Sequence, residues 1–189
     1  MTKAVLSIDF TRDFVACDGK LTAGRPAQAI SEAMATVSQK AWEAGGYVFF
    51  MIDEHLEGDT HHPESQLFPP HNIRGTEGRF LYGPSKEFFE EHQESDRVFW
   101  MDKHYYSAFA GTMLDIYLRE RKVDTLVLTG VLTDICVLHT AIDAYQKGYK
   151  IEIVTDAVAS ITDEQHQFAL EHMKNVLGAQ LLSSAELEF

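Results

Sequence analysis

Cys136 sits where a thiol has chemical consequences. The stretch DTLVLTGVLTDICVLHTAIDAYQKG opens as an apolar strand, breaks at Gly130 and turns helical after Thr133. With Thr133 as N-cap, Cys136 takes the N3 position, where a capping box would carry Glu or Gln. A thiol there faces unpaired backbone N–H groups and the positive end of the helix dipole, which predicts a lowered pKa. Asp9, after the first apolar run, is a candidate to accept the thiol proton, and Lys103, after the third, to balance the charge. Such a set activates a nucleophile without histidine. The backbone N–H groups of Leu132 and Cys136 are candidates to bind an oxyanion. The plainer alternative is a small, buried, apolar cysteine.

A second group lies in DEHLEGDTHHPESQLFPPH. Asp53 and His55 are two residues apart, so in extended chain they point to the same side. His71 follows sixteen residues later, with His61, His62 and Glu64 between. One carboxylate with two imidazoles suits a borderline divalent ion that keeps open positions. The spacing matches no zinc finger or HExxH helix, so a solvated His-rich loop stands as the alternative, and composition does not choose among the five histidines of 53–97. Aromatic residues Phe14, Phe68, Tyr105 and Tyr106 fall just beyond these polar groups, where they would stack on a flat ligand or close the core.

These residues need a scaffold that gathers them. Apolar runs at 3–8, 47–52, 98–101, 125–130 and 150–156 read as strands, with a sixth at 179–183. Helical spacing covers 27–44, 111–121, 133–147 and 163–177, and Gly148 closes the third of these helices. Alternating strands and helices imply a parallel sheet with helices on both faces. In such sheets ligands bind beyond the carboxyl ends of the strands. Asp9, Asp53, His55, Asp102, Lys103 and Cys136 all follow strand ends and converge on that edge. The exception to the alternation is a loop of about 45 residues at 53–97, which holds four of the five prolines; loops that long are functional or disordered.

The chain length suits one domain, 1–189. A net charge of −13 argues against nucleic acid or an anionic membrane as partner. No apolar run is long enough to span a bilayer, and the N-terminus is not a signal peptide. Cys17 and Cys136 make no disulfide framework, which fits a cytoplasmic protein with reduced thiols. GxGxxG, GxxxxGK[ST] and GxSxG are absent, which removes nucleotide-binding and serine-hydrolase readings.

SIDFTRDF, DEH, HNIRGTEG, DKHYYSAFAGT and GVLTDICVLHTAIDAYQKGY together resemble the nicotinamidases of the isochorismatase-like cysteine hydrolase family over nearly the whole chain. The resemblance implies a three-layer α/β/α fold around a mostly parallel six-stranded sheet. It implies a triad of Asp9, Lys103 and Cys136, and metal ligands Asp53, His55 and His71 with Glu64 nearby, often through water. It implies a cis peptide at Val131–Leu132 that aims the N–H groups of Leu132 and Cys136 at an oxyanion. Phe14, Phe68 and Tyr106 would sandwich a pyridine ring, with Val131 beside it. The expected cofactor is one divalent ion, zinc first, with iron and manganese compatible. The expected reaction turns nicotinamide, or pyrazinamide, into acid and ammonia through a thioester; a homo-oligomer is compatible with this. Members named for isochorismate lack the cysteine, so Cys136 argues against that substrate. Many relatives carry Gln between the first-strand Asp and the DF pair, where Thr11 and Arg12 stand here, and Cys after the loop histidine, where Asn72 stands. Rival readings are a sibling amidase for another small amide or carbamoyl compound, a flavodoxin-like receiver, and a passive metal-binding protein.

Overall fold

The computed structural model describes residues 2–189. Six strands form one sheet: β1 (Lys3–Ile8), β2 (Tyr47–Asp53), β3 (Val98–Lys103), β4 (Thr125–Val131), β5 (Lys150–Ala159) and β6 (Gln180–Leu182). Their order is β3-β2-β1-β4-β5-β6, and every pairing is parallel, so the expected mostly parallel sheet is wholly so. The chain winds outward from β1 to β3, then returns to lay β4 on the other side of β1. The crevice between the ends of β1 and β4 is therefore the topological switch point where open α/β sheets take ligands.

Side chains alternate across the sheet, and each face has its own core. Val5, Phe50, Val127 and Val154 pack with helices α3 (Ser31–Glu43) and α4 (Pro84–His92). Leu6, Phe49, Leu128 and Ile153 pack on the other face with α5 (Leu114–Glu120), α6 (Leu138–Gln146) and α7 (Asp163–Leu177). Burying each such side chain contributes about 1.5–3 kcal/mol. The short helices α1 (Arg12–Val15) and α2 (Arg25–Ala29) lie between β1 and α3.

The structure corrects several expected boundaries. The helix expected over 27–44 is two helices, α2 and α3, because Ile30 turns between them at φ −87° and ψ 0°. The helix expected from 111 begins at Leu114, after Gly111 at φ 72°. The 53–97 stretch holds more structure than a loop: α4 starts with Pro84 in its first turn, and two 3-10 turns span Pro63–Gln66 and Glu77–Arg79. Thr133 is not an N-cap. Residues Thr133–Val137 form a π-helical turn ahead of α6, and the Leu132 carbonyl accepts from Ile135 and Val137. The Thr133 hydroxyl instead meets His166 Nδ1 at 2.9 Å. Helix α7 begins with Thr162 accepting from the Gln165 N–H and ends on Gly178 at φ 68°.

Strands β1 and β4 approach closely where the site begins. Gly130 pairs with Ile8 at φ 114°, and a Cβ there would lie 1.9 Å from the Ile8 carbonyl oxygen. Gly130→Ala is expected to cost about 3 kcal/mol from backbone strain and overpacking at the hinge between β4 and the cysteine turn. Urea denaturation measures it; an unchanged midpoint would show that the two strands part without cost.

Candidate active site

Asp9 follows β1 directly and turns the chain in left-handed conformation at φ 55°, rare for a non-glycine residue. Its N–H donates to the Met51 carbonyl, and its Oδ1 accepts the Asp53 N–H at 2.8 Å. Its Oδ2 stands 2.7 Å from Lys103 Nζ, and both side chains are fully buried. Lys103 ends β3 in register with Asp53 on β2. Its ammonium donates to the Tyr105 carbonyl at 3.2 Å and to Cys136 Sγ at 3.7 Å, and lies 3.6 Å from Asp53 Oδ1. The π-turn brings Cys136 onto this ammonium and within hydrogen-bonding reach of Asp9. Irregular π-turns of this kind recur at functional sites.

The structure brings the three groups together, and it reverses the expected ionisation of the thiol. Burial pushes the Cys136 thiol well above the ordinary range, and Asp9 and Asp53 add to this; Lys103 pulls the other way and loses. Burial also raises Asp9, although Lys103 opposes it. Burial works against the Lys103 charge, but Asp9, Cys136 and Asp53 together hold it above an ordinary lysine. These directions favour a protonated thiol beside the Asp9–Lys103 pair. Helix-end electrostatics does not create a standing thiolate here. A raised Asp9 is suited to taking the thiol proton as the sulfur attacks.

Asp53, His55, Glu64 and His71 offer one ligand atom each, all within 4.8 Å of one another. His55 Nε2 lies 2.8 Å from Asp53 Oδ2, and His71 Nε2 lies 3.4 Å from the same oxygen. His71 Nδ1 is held by the Pro69 carbonyl at 2.8 Å, which turns Nε2 toward the group. Burial disfavours the Asp53 charge, yet Lys103, His55 and His71 hold its carboxyl far below the usual range. Glu64 is raised, by burial and then by Asp53. Two carboxylates and two imidazoles in a buried cluster fit a divalent cation.

The other histidines have different work. His62 accepts the Glu64 N–H and packs on Tyr105, and His92 is buried between Trp42 and Phe88. Glu54 alternates to the opposite side from Asp53 and pairs with Arg74 at 2.6 Å and Arg79 at 2.9 Å. Asp102, expected among the converging groups, points away and pairs with Arg79 and the Trp100 indole.

A cavity of about 70 Å³ opens over the sulfur. Cys136, Asp53, Glu64 and His71 line it together with Phe14, Phe68, Tyr106, Val131 and Leu132. The peptide Val131–Leu132 is cis. Tyr105 lies outside, half-exposed against His62, and contributes its carbonyl to Lys103 instead. Leu21, Ile135 and Ile161 also line the cavity. Sequence reasoning missed them because an apolar residue on a loop carries no local signal of what it faces.

Residues 3–186 match the isochorismatase domain family. The chain belongs to the isochorismatase family. It is 67% identical to a pyrazinamidase/nicotinamidase of Streptococcus mutans UA159, whose structure superposes with a TM-score of 0.95 over 96% of this chain and 100% of that one. An isochorismatase family protein of Bacillus subtilis (strain 168) is 51% identical over 96% of this chain and 99% of its own. The pyrazinamidase of Pyrococcus horikoshii in complex with zinc is 26% identical, with a TM-score of 0.83 over 97% of this chain and 99% of that one.

Within this isochorismatase-family scaffold, two positions that depart from the expected pattern meet each other. Thr11 Oγ1 donates to Asn72 Oδ1 at 3.0 Å, both fully buried. Asp13 accepts the Asn72 N–H at 2.8 Å, and the Asn72 carbonyl accepts the His55 N–H. The pair thus fastens the chain next to His71 to the turn after Asp9. Alkylation of Cys136 by iodoacetamide, followed by mass spectrometry, is expected to keep accelerating past about pH 9, where a free thiol levels off. A plateau at neutral pH would show a standing thiolate and contradict the protonated resting state.

Proposed function

We propose that this chain is a nicotinamidase, a metal-dependent cysteine amidohydrolase that converts nicotinamide to nicotinate and ammonia. One observation carries the reading: the thiol and three of the four metal-ligand candidates line the same small aromatic cavity. A flat heteroaromatic amide would reach Cys136 with its carboxamide and the ligand cluster with its ring. The relatives named nicotinamidase or pyrazinamidase support the same substrate class. The family match over residues 3–186 supports one hydrolase domain with the 53–97 insertion.

Asp53, His55 and His71, with Glu64, would hold a divalent ion, zinc first and iron or manganese as alternatives; when bound it would serve mainly as a template that orients the ring, with Lewis-acid help secondary. Phe14, Phe68 and Tyr106 clamp the ring, with Val131 along its edge. Asp9 removes the Cys136 proton while the sulfur forms its bond to the amide carbon. The oxyanion is received by the Leu132 and Cys136 N–H groups, an arrangement in which each donor contributes about 3–4 kcal/mol. Protonated Asp9 passes its proton to the departing amine, and ammonia leaves with the thioester in place. Asp9, ionised again, takes a proton from water, whose oxygen attacks the thioester carbon; the sulfur departs, and the proton returns to it. Lys103 keeps Asp9 oriented and offsets the negative charge through both halves.

The two free cysteines and the acidic surface support a cytoplasmic enzyme of pyridine nucleotide salvage, with a small molecule as its partner. No helix among the described residues is long and apolar enough to cross a membrane. Ammonia release from nicotinamide, pyrazinamide and a panel of carbamoyl compounds tests the reading. Nicotinamide and pyrazinamide are expected to turn over, Cys136→Ala to abolish turnover, and His71→Ala to lower the metal content by elemental analysis. Turnover confined to a carbamoyl compound would assign the site to a sibling amidase.

A further inference from the structure

The ligand cluster contributes to the walls of two cavities. The inner one holds the Cys136 sulfur; the outer one, about 180 Å³, lies under the loop that follows β2. Glu64, Phe68 and His71 belong to both walls, Asp53 faces the inner cavity and His55 the outer one. The two spaces differ in chemistry. Around the inner cavity the non-ligand wall is largely apolar, with Leu21, Ile135 and Ile161 among its residues. The outer cavity adds Asp59, Thr60, Ser65 and Gln66. Asp59 is held in place: its Oδ1 accepts the His61 N–H at 2.8 Å, and its carbonyl accepts the Ser65 hydroxyl at 2.6 Å.

An apolar, aromatic entrance suits a neutral ring. It suits a hydrated divalent cation poorly, because the ion would lose water to surroundings that offer no replacement. The outer cavity is also partly apolar, through Leu56, Pro69, Pro70 and Ile73, but it is the more polar of the two, and a carboxylate at its rim attracts the cation and hands it to oxygen and nitrogen ligands. We propose that the outer cavity, between the Asp59–Gln66 loop and the His55–Glu64–His71 wall, is the port through which the metal ion enters and leaves, separate from the substrate's entrance. This rests on the metal-dependent reading above. It adds that metal exchange and substrate binding use opposite sides of one ligand cluster, with Asp59 drawing the cation in.

The test is the rate of zinc exchange, read without turnover. Zinc uptake by the metal-stripped chain is followed by stopped flow against the chromogenic chelator 4-(2-pyridylazo)resorcinol, and zinc release from the loaded chain by transfer to the same chelator. Thr60→Trp and Gln66→Trp, both at exposed positions lining the outer cavity, are expected to slow uptake and release about tenfold or more, with the nicotinamide KM unchanged. Ile161→Trp, at the inner rim, is expected to raise KM and leave zinc exchange unchanged. Asp59→Asn is expected to slow uptake at low ionic strength and to match the wild type at high salt. The port is overturned if either outer plug folds and leaves exchange at the wild-type rate, or if Ile161→Trp slows it. A wild-type chain that takes up no zinc, iron or manganese would overturn the metal reading itself, which separates the two failures.

Discussion

Asp9 and Asp53 bring two carboxylates to the ends of adjacent strands, and Lys103 meets both with one ammonium that has no exposure to solvent. Leaving a buried charge unpaired costs about 3–5 kcal/mol, so none of the three can be removed alone without penalty. The same ammonium reaches the Cys136 sulfur. A single positive charge therefore touches Asp9, Asp53 and the Cys136 sulfur at once. The Asp9–Cys136 pair and the Asp53 cluster are coupled through Lys103, and the hydrogen bond from the Asp53 N–H to Asp9 Oδ1 ties them again.

The fold makes this crowding affordable by distributing the groups over separate strands. Asp9 follows β1, Asp53 and Lys103 close β2 and β3, and Cys136 follows β4. Parallel registers put these ends side by side. Gly130 lets β4 approach β1 closely enough for the cysteine turn to overhang Asp9. The 53–97 segment then folds back through the His55–Ile73 bridge, which returns His71 to the cluster opened by Asp53 and His55. Asp13, Thr11 and Asn72 lock that return from below, and the Glu54 ion pairs with Arg74 and Arg79 hold it from the far side.

Much of this was legible in the residues. Short continuous apolar runs located the strands, the rule for open α/β sheets located the edge, and the polar residues after the runs then put forward Asp9, Asp53, His55, Asp102, Lys103 and Cys136, of which Asp102 turns away to Arg79. His71 came through the family resemblance rather than through spacing, because nothing local separates it from His61, His62 or His92. What was illegible depended on tertiary contact. The protonation of Cys136 is decided by burial and by carboxylates from other strands, which outweigh the helix end visible in the local sequence. Tyr105 and Tyr106 are neighbours in the chain, yet one faces His62 and the other the cavity. Helix α4 was hidden because its sequence sits in a stretch rich in proline and histidine, although Pro84 at its first turn is a start signal. The Thr11–Asn72 contact joins residues 61 positions apart.

The central claim is that Cys136 attacks the amide while Asp9 takes its proton, so that acyl transfer passes through the sulfur. Rapid acid quench of the metal-loaded enzyme during nicotinamide turnover, with mass spectrometry of the Cys136 peptide, tests it most directly. The account predicts a nicotinoyl thioester on Cys136 that builds up within the first turnover and fails to form in Asp9→Asn. Turnover with no acyl group on Cys136 at any quench time, or the same adduct forming at an undiminished rate in Asp9→Asn, would contradict it.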